Sequence, residues 1–141
     1  MVSGGFDPLH PGHVGYFEAA AALGRPLLVN VSDDDFVRRK HAPLLTQRER
    51  AELIDALRVV DYVHIESGTT EHAIRTIRPY CVVKGSDWQG RLPVAETAAC
   101  EELGVRIAFV DTVTNSSSDI LRRFLDDHAG REIDRLEHQR A

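Results

Sequence analysis

The 141-residue sequence is short of several features that would each mark a class of protein. It has no apolar run near the roughly 18–20 residues that a membrane span requires. Its N-terminus lacks a basic stretch followed by an apolar core, so no signal peptide is expected. There are only two cysteines, Cys81 and Cys100. They lack metal-site spacing, and Cys81 stands in an apolar run, so both read as buried thiols in a reducing compartment. A cytoplasmic location is the default expectation. Basic charge is also scarce: 17 Lys and Arg stand against 22 Asp and Glu, for a net charge of −5. That balance argues against non-specific nucleic-acid binding, which needs a dense basic surface. A local basic site within an acidic protein stays open. Internal repeats and linkers are missing too. What is left, 43% hydrophobic and 28% charged residues, is ordinary for a soluble globular chain. The length suits one domain with a real core, over residues 1–130, with a short charged tail at 131–141.

The most informative stretch lies at the start: Gly4-Gly5-Phe6-Asp7-Pro8-Leu9-His10-Pro11-Gly12-His13. It reads as a strand end, a tight turn and a helix whose first turn carries His10 and His13 on one face. A helix N-terminus offers unpaired N–H groups and partial positive charge, so the arrangement suits an anion such as phosphate. A zinc site is the competing reading, but a catalytic zinc needs three protein ligands and no third is evident nearby.

Along the chain, apolar runs alternate with helical patterns. Strands are expected near Met1–Gly5, Pro26–Val31, Asp61–Ile65, Cys81–Lys84 and Arg106–Val110. Helices are expected from about Gly12 to Leu23, burying Val14, Phe17 and Ala21, and from Thr46 to about Leu57, burying Leu53, Ile54 and Leu57. Thr46 and Glu49 form a capping box for the second of these. Further helices span Glu71–Ile77, Pro93 (at N1) to Leu103, and Ile120 to about His128. Arg38, Arg39 and Lys40 read either as a solvated basic turn or as a mobile arm closing over a polyphosphate. The alternation predicts an α/β domain with a five-stranded parallel sheet. Such sheets bind ligands beyond the carboxyl ends of their strands, where every candidate segment falls: Asp7–His13, Asp33–Lys40, Ser67–Thr70, Lys84–Trp88 and Asp111–Ser118.

The stretch Gly5 to His13 resembles the G-x-F-D-x-x-H-x-G-H signature of the cytidylyltransferase-like nucleotidyltransferases. These include glycerol-3-phosphate and ethanolamine-phosphate cytidylyltransferases and heptose 1-phosphate adenylyltransferases. Arg50 and Arg58 stand where that family has a helix running into R-x-V-D. Lys84-Gly85-Ser86-Asp87-Trp88 resembles its K-G-x-D-[YW] loop, and Ser116-Ser117-Ser118-Asp119-Ile120 its S-T-T-x-I helix start. The resemblance covers about residues 3–125. It implies a Rossmann-like sheet with helices on both faces. It also implies transfer of a nucleoside monophosphate from a nucleoside triphosphate, ATP or CTP, to a small phosphorylated acceptor, with release of pyrophosphate. By the same resemblance His10 and His13 hold the phosphates under attack, with Lys40, Arg50 and Arg58 as cationic clamps. Gly5, Phe6, Asp7, Gly12, Lys84, Gly85, Asp87 and Ser116 to Ser118 fall on the nucleotide side, and Arg39 and Trp88 on the acceptor side. Mg²⁺ is expected on the triphosphate rather than in a protein cage. Relatives are often dimers, and a homodimer stays open.

Substrate signals are mixed. The Lys84-Gly85-x-Asp87 loop resembles the heptose-phosphate adenylyltransferases, while Asp87-Trp88-Gln89-Gly90-Arg91 resembles the D-W-x-G-K of the glycerol-phosphate enzymes. Asp111 stands where those enzymes have an arginine. The balance favours a sugar-phosphate adenylyltransferase. The alternatives are a cytidylyltransferase acting on glycerol 3-phosphate and a nucleotide-binding regulatory domain without turnover.

Overall fold

The computed structural model describes residues 1–111 and 119–128. The elements follow in the order β1 (Val2–Gly4), α1 (Pro11–Ala22), β2 (Leu28–Val31), α2 (Asp34–Arg38), α3 (Gln47–Asp55), β3 (Tyr62–Ile65), α4 (Thr70–Ile77), β4 (Cys81–Gly85), α5 (Val94–Leu103) and β5 (Arg106–Val110). A 3₁₀ turn covers Ser86–Trp88, and residues 119–128 are helical. The expected tail at 131–141 lies outside the described residues.

All pairings are parallel, as βα alternation requires. The single five-stranded sheet is corrected, however, to two sheets, β1-β2-β3 and β4-β5. The physical reason is the brevity of β1. After Gly4 the chain turns away, and the backbone bonds described between β1 and β4 both involve Met1: its N–H donates to the Cys81 carbonyl (2.7 Å), and Val83 N–H donates to the Met1 carbonyl (2.8 Å). The two sheets abut there without forming a ladder.

Neighbouring residues on a strand point to opposite faces, and the core divides accordingly. Val29, Val31 and Val83 pack with Phe6, Phe17, Ala20, Ala51 and Ile54, the buried residues of the β1–α1 turn and of α1 and α3. Leu28 and Val82 pack with Ile74, Ala99 and Cys100 from α4 and α5. Helices therefore cover both faces.

Local chemistry explains the helix ends. Thr46 and Glu49 form the expected capping box of α3. Asp33 accepts from the Phe36 N–H (2.8 Å) and caps α2, so the predicted basic turn is in part a short helix, followed by Arg39 and Lys40. Pro93 is the N-cap of α5 rather than its first residue, and Gly104 ends that helix at φ +67°. The inner faces differ from expectation at two helices. In α1 the buried residues are Gly12, Phe17 and Ala20, and Val14 and Ala21 are half-buried. In α3 they are Arg50, Ala51 and Ile54, while Leu53 is exposed. An arginine occupies the position of that stripe that an apolar side chain would otherwise fill.

Candidate active site

The strand ends open into a cavity of about 630 Å³ between the β1–α1 turn, α2 and the β4–α5 turn. Its organising feature is the turn at Gly4 to His13. Phe6 adopts φ +52°, unusual for a bulky side chain, which folds its ring back over Gly4. A Cβ at Gly4 would lie 2.9 Å from Phe6 Cζ, so glycine is needed there for close approach. The Phe6 ring meets Phe17 and His13 edge-on, with centroids 5.1 Å away in each case.

His10 is the N-cap of α1. Its Nδ1 accepts the Gly12 N–H (3.1 Å), which fixes the proton of the neutral ring on Nε2. The His13 ring stacks on it with centroids 3.7 Å apart. Burial, with a smaller contribution from His10, brings the His13 pKa down to about 4. Burial lowers that of His10 too. Both imidazoles are thus neutral near pH 7, and they act by hydrogen bonding rather than as fixed charges. His13 Nδ1 is buried with no hydrogen-bond partner among the described residues. The amides of the helix start do not stand open: Gly12 donates to His10 Nδ1, and His13 and Val14 donate to the His10 carbonyl at 2.9 and 3.3 Å. The expectation that the Gly12–His13 amides cradle phosphate is corrected accordingly. The donor at this helix end is the His10 Nε2–H.

Gly5, Phe6, Asp7, Gly12, Lys40, Lys84, Gly85, Asp87 and Trp88, all foreseen from sequence, line the same cavity as the histidines. Asp7 is buried, and its carboxylate accepts the amides of Leu44 (2.8 Å) and Leu45 (3.1 Å), tying the turn to the segment before α3. Lys40 is exposed, lies 5.6 Å from the centre of the Phe36 ring, and has no ion pair among the described residues. Lys84 is buried and pairs with Glu96 at 2.7 Å, beside the Trp88 ring at 5.6 Å. Glu96 Oε2 receives no well-directed hydrogen bond, so this contact is one of charge.

Three expected cations stand apart from the cavity. Arg50 is 1% exposed, and four of its five guanidinium N–H groups are taken by the carbonyls of Gly5, Ser32 and Leu45 and by Asp34 Oδ1 (2.7 Å). It pins three loops under the site and stands buried outside the cavity lining. Arg58 is exposed in the turn after α3, away from the lining residues. Arg39 lies against Phe36, 5.7 Å from the ring centre, outside the lining. Ser116, Ser117 and Ser118 lie outside the described residues.

Sequence reasoning missed Ser3, Tyr16 and Glu96, which line the cavity, whereas Thr70, the end of the expected Ser67–Thr70 segment, lines it as foreseen. Tyr16 was findable, because it follows His13 by three positions on the same helical face. Its hydroxyl donates to the Val83 carbonyl (2.5 Å), and burial, with Asp87 and Glu96 nearby, pushes its pKa up. Single polar residues such as Ser3 and Glu96 carry no local signature. The described residues contain no group of three metal-ligating side chains, and Asp7 is spent on backbone amides. They do not form a protein cage for magnesium.

A family model described as cytidylyltransferase-like matches residues 1–123. Similar curated proteins include the bifunctional protein HldE of Syntrophotalea carbinolica, 36% identical over 131 residues, which are 89% of this chain and 26% of that protein. The HldE of Coxiella burnetii is 43% identical over 93 residues, 63% of this chain and 20% of that one. The chain thus spans about a quarter of the length of the curated relatives it matches. Among solved structures, a lipopolysaccharide core biosynthesis protein from Thermoplasma volcanium superposes with a TM-score of 0.70 at 29% identity, covering 80% of this chain and 95% of that one. A protein from Archaeoglobus fulgidus, at 24% identity and a TM-score of 0.61 over 82% of this chain and 91% of its own, shares the fold.

Proposed function

The chain belongs to the cytidylyltransferase-like family, and from that premise we propose that it transfers a nucleoside monophosphate from a nucleoside triphosphate to a small phosphorylated acceptor, releasing pyrophosphate. ATP is the favoured donor and a sugar phosphate such as heptose 1-phosphate the favoured acceptor. The observation that carries the reaction is the neutral, stacked His10–His13 pair set in one cavity with Lys40 and Lys84. The acceptor choice is supported by the Lys84-Gly85-x-Asp87 loop and by the similarity to HldE proteins.

A phosphate oxygen of the acceptor is already an anion at neutral pH. It attacks the α-phosphorus of the triphosphate, the bond from that phosphorus to the bridging oxygen breaks, and the electron pair leaves with pyrophosphate. No general base is needed, and catalysis comes from positioning and from stabilising charge. His10, with its proton held on Nε2, donates to a phosphate oxygen without carrying charge of its own. Lys40 supplies a cation at the mouth. Lys84 arrives neutralised by Glu96, so it orients more than it attracts. Mg²⁺ accompanies the triphosphate in this reading and adds charge neutralisation there.

Pyrophosphate release with ATP or CTP, each paired with heptose 1-phosphate or glycerol 3-phosphate, tests the reading. ATP with the sugar phosphate is expected to give the highest kcat/KM. Turnover with CTP alone would move the protein to the cytidylyltransferases. Nucleotide binding without turnover on any pairing would make it a regulatory binding domain.

A further inference from the structure

Beneath the cavity lies a buried polar network that the phosphate chemistry does not use. Asn30 on β2 is 0% exposed and Glu66, just after β3, is 2% exposed. Burying an amide and a carboxyl is costly unless they are hydrogen-bonded, and both are. Asn30 Nδ2 donates to Ser3 Oγ (3.2 Å) and to Glu66 Oε2, which uses both of its N–H groups. Its Oδ1 accepts from His64 Nδ1 at 2.7 Å. Thr70, the first residue of α4, donates its hydroxyl to Glu66 Oε2 (3.3 Å). The two ends of this network, Ser3 and Thr70, line the cavity.

The consequence is one of polarity. Ser3 Oγ has an acceptor site filled from below, so its own O–H is left to donate. Thr70 has given its hydrogen to Glu66, so its oxygen is left to accept. One wall thus offers a hydroxyl donor and a hydroxyl acceptor whose roles are fixed by residues out of contact with ligand. A ligand hydroxyl does both, whereas an alkyl or ammonium group satisfies at most one of the two.

We propose that Ser3 and Thr70 form a wall that reads the hydroxyl groups of a polyhydroxylated acceptor, with Asn30 and Glu66 as the positioning residues that set its polarity. This rests on the function proposed above for the choice of a sugar phosphate. The test is steady-state kinetics with ATP and heptose 1-phosphate for the wild type and for Thr70→Val, Thr70→Ser, Ser3→Ala and Glu66→Gln. Thr70→Val and Ser3→Ala should each raise the acceptor KM about three- to tenfold, the value of one neutral hydrogen bond, with the ATP KM unchanged. Glu66→Gln places its carbonyl oxygen where Oε2 accepts from both Asn30 and Thr70, so it keeps the polarity of the wall and should leave the acceptor KM at the wild-type value. Thr70→Ser should restore the wild-type value. An unchanged acceptor KM in Thr70→Val, or an equal rise in both KM values, overturns the proposal. A wild type inactive with every acceptor counts instead against the function. The wall is then read by thermal stabilisation with heptose 1-phosphate: stabilisation lost in Thr70→Val supports it, and stabilisation unaltered in that variant, or absent in the wild type, removes it.

Discussion

His10 caps α1 and, in the proposed reaction, donates to phosphate, and the two duties can be separated. Asparagine also caps well but has no group where Nε2–H stands. His10→Asn is therefore expected to keep the melting temperature within a few degrees while kcat falls by on the order of 10², the loss seen for one transition-state donor. His13→Ala should lower kcat by a similar factor, and near-normal turnover in pyrophosphate release would exclude His13 from the mechanism. The depressed His13 pKa also fixes the sign of a stability effect. The unfolded chain protonates this histidine below about its ordinary 6.5, whereas the folded protein resists until about 4. Unfolding therefore takes up a proton in that window, and stability is lost as pH falls from 6.5 toward 4 and is indifferent to His13 above it. Thermal melts across pH 4–8 should show this decline, and the His13→Ala variant should show a shallower one.

At the scale of elements, α3 shows why a motif residue can be recognised and still be assigned the wrong task. Arg50 recurs at the spacing of a site cation, yet its helical position, four residues before Ile54, turns it inward, where three loop carbonyls and Asp34 take four of its five N–H groups. Lysine cannot reproduce that planar fork. Arg50→Lys should thus cost about 2–3 kcal/mol in denaturant unfolding, through buried carbonyls left unpaired. An unchanged midpoint would return Arg50 to the role of a clamp. The turn at Gly4 to His13, the capping box at Thr46 and the strand positions were legible because each depends on neighbours within a few residues. The inner face of α3 and the Ser3–Asn30–Glu66–Thr70 network were not, since their bonds join positions up to 45 and up to 36 apart in the chain, whose polar residues look isolated locally. The division of the sheet was hidden as well, because strand patterns do not state whether a three-residue strand can complete a ladder on both its edges.

Across the whole molecule, the cavity straddles the line where the two sheets meet. Its histidines and Asp7 come from the β1 side, and Lys84, Trp88 and Glu96 from the β4 side. The Tyr16 hydroxyl crosses from α1 to the Val83 carbonyl, while the Val83 N–H binds Met1. The amide of Val83 should accordingly exchange with solvent faster than the amides of the β4–β5 ladder, and an ATP analogue filling the cavity should slow it selectively. Uniform exchange across β4, indifferent to nucleotide, would mean that the sheets behave as one.

A cleft placed on such a seam makes its occupant a fastener. Whatever bridges the two sides resists their parting, so the molecule converts chemical occupancy into heat resistance. At about a hundred times its Kd a single ligand adds about 2.7 kcal/mol, or several degrees for a chain of this size. An unknown acceptor can therefore be sought among phosphorylated sugars by warming the protein with each in turn, before any turnover is seen.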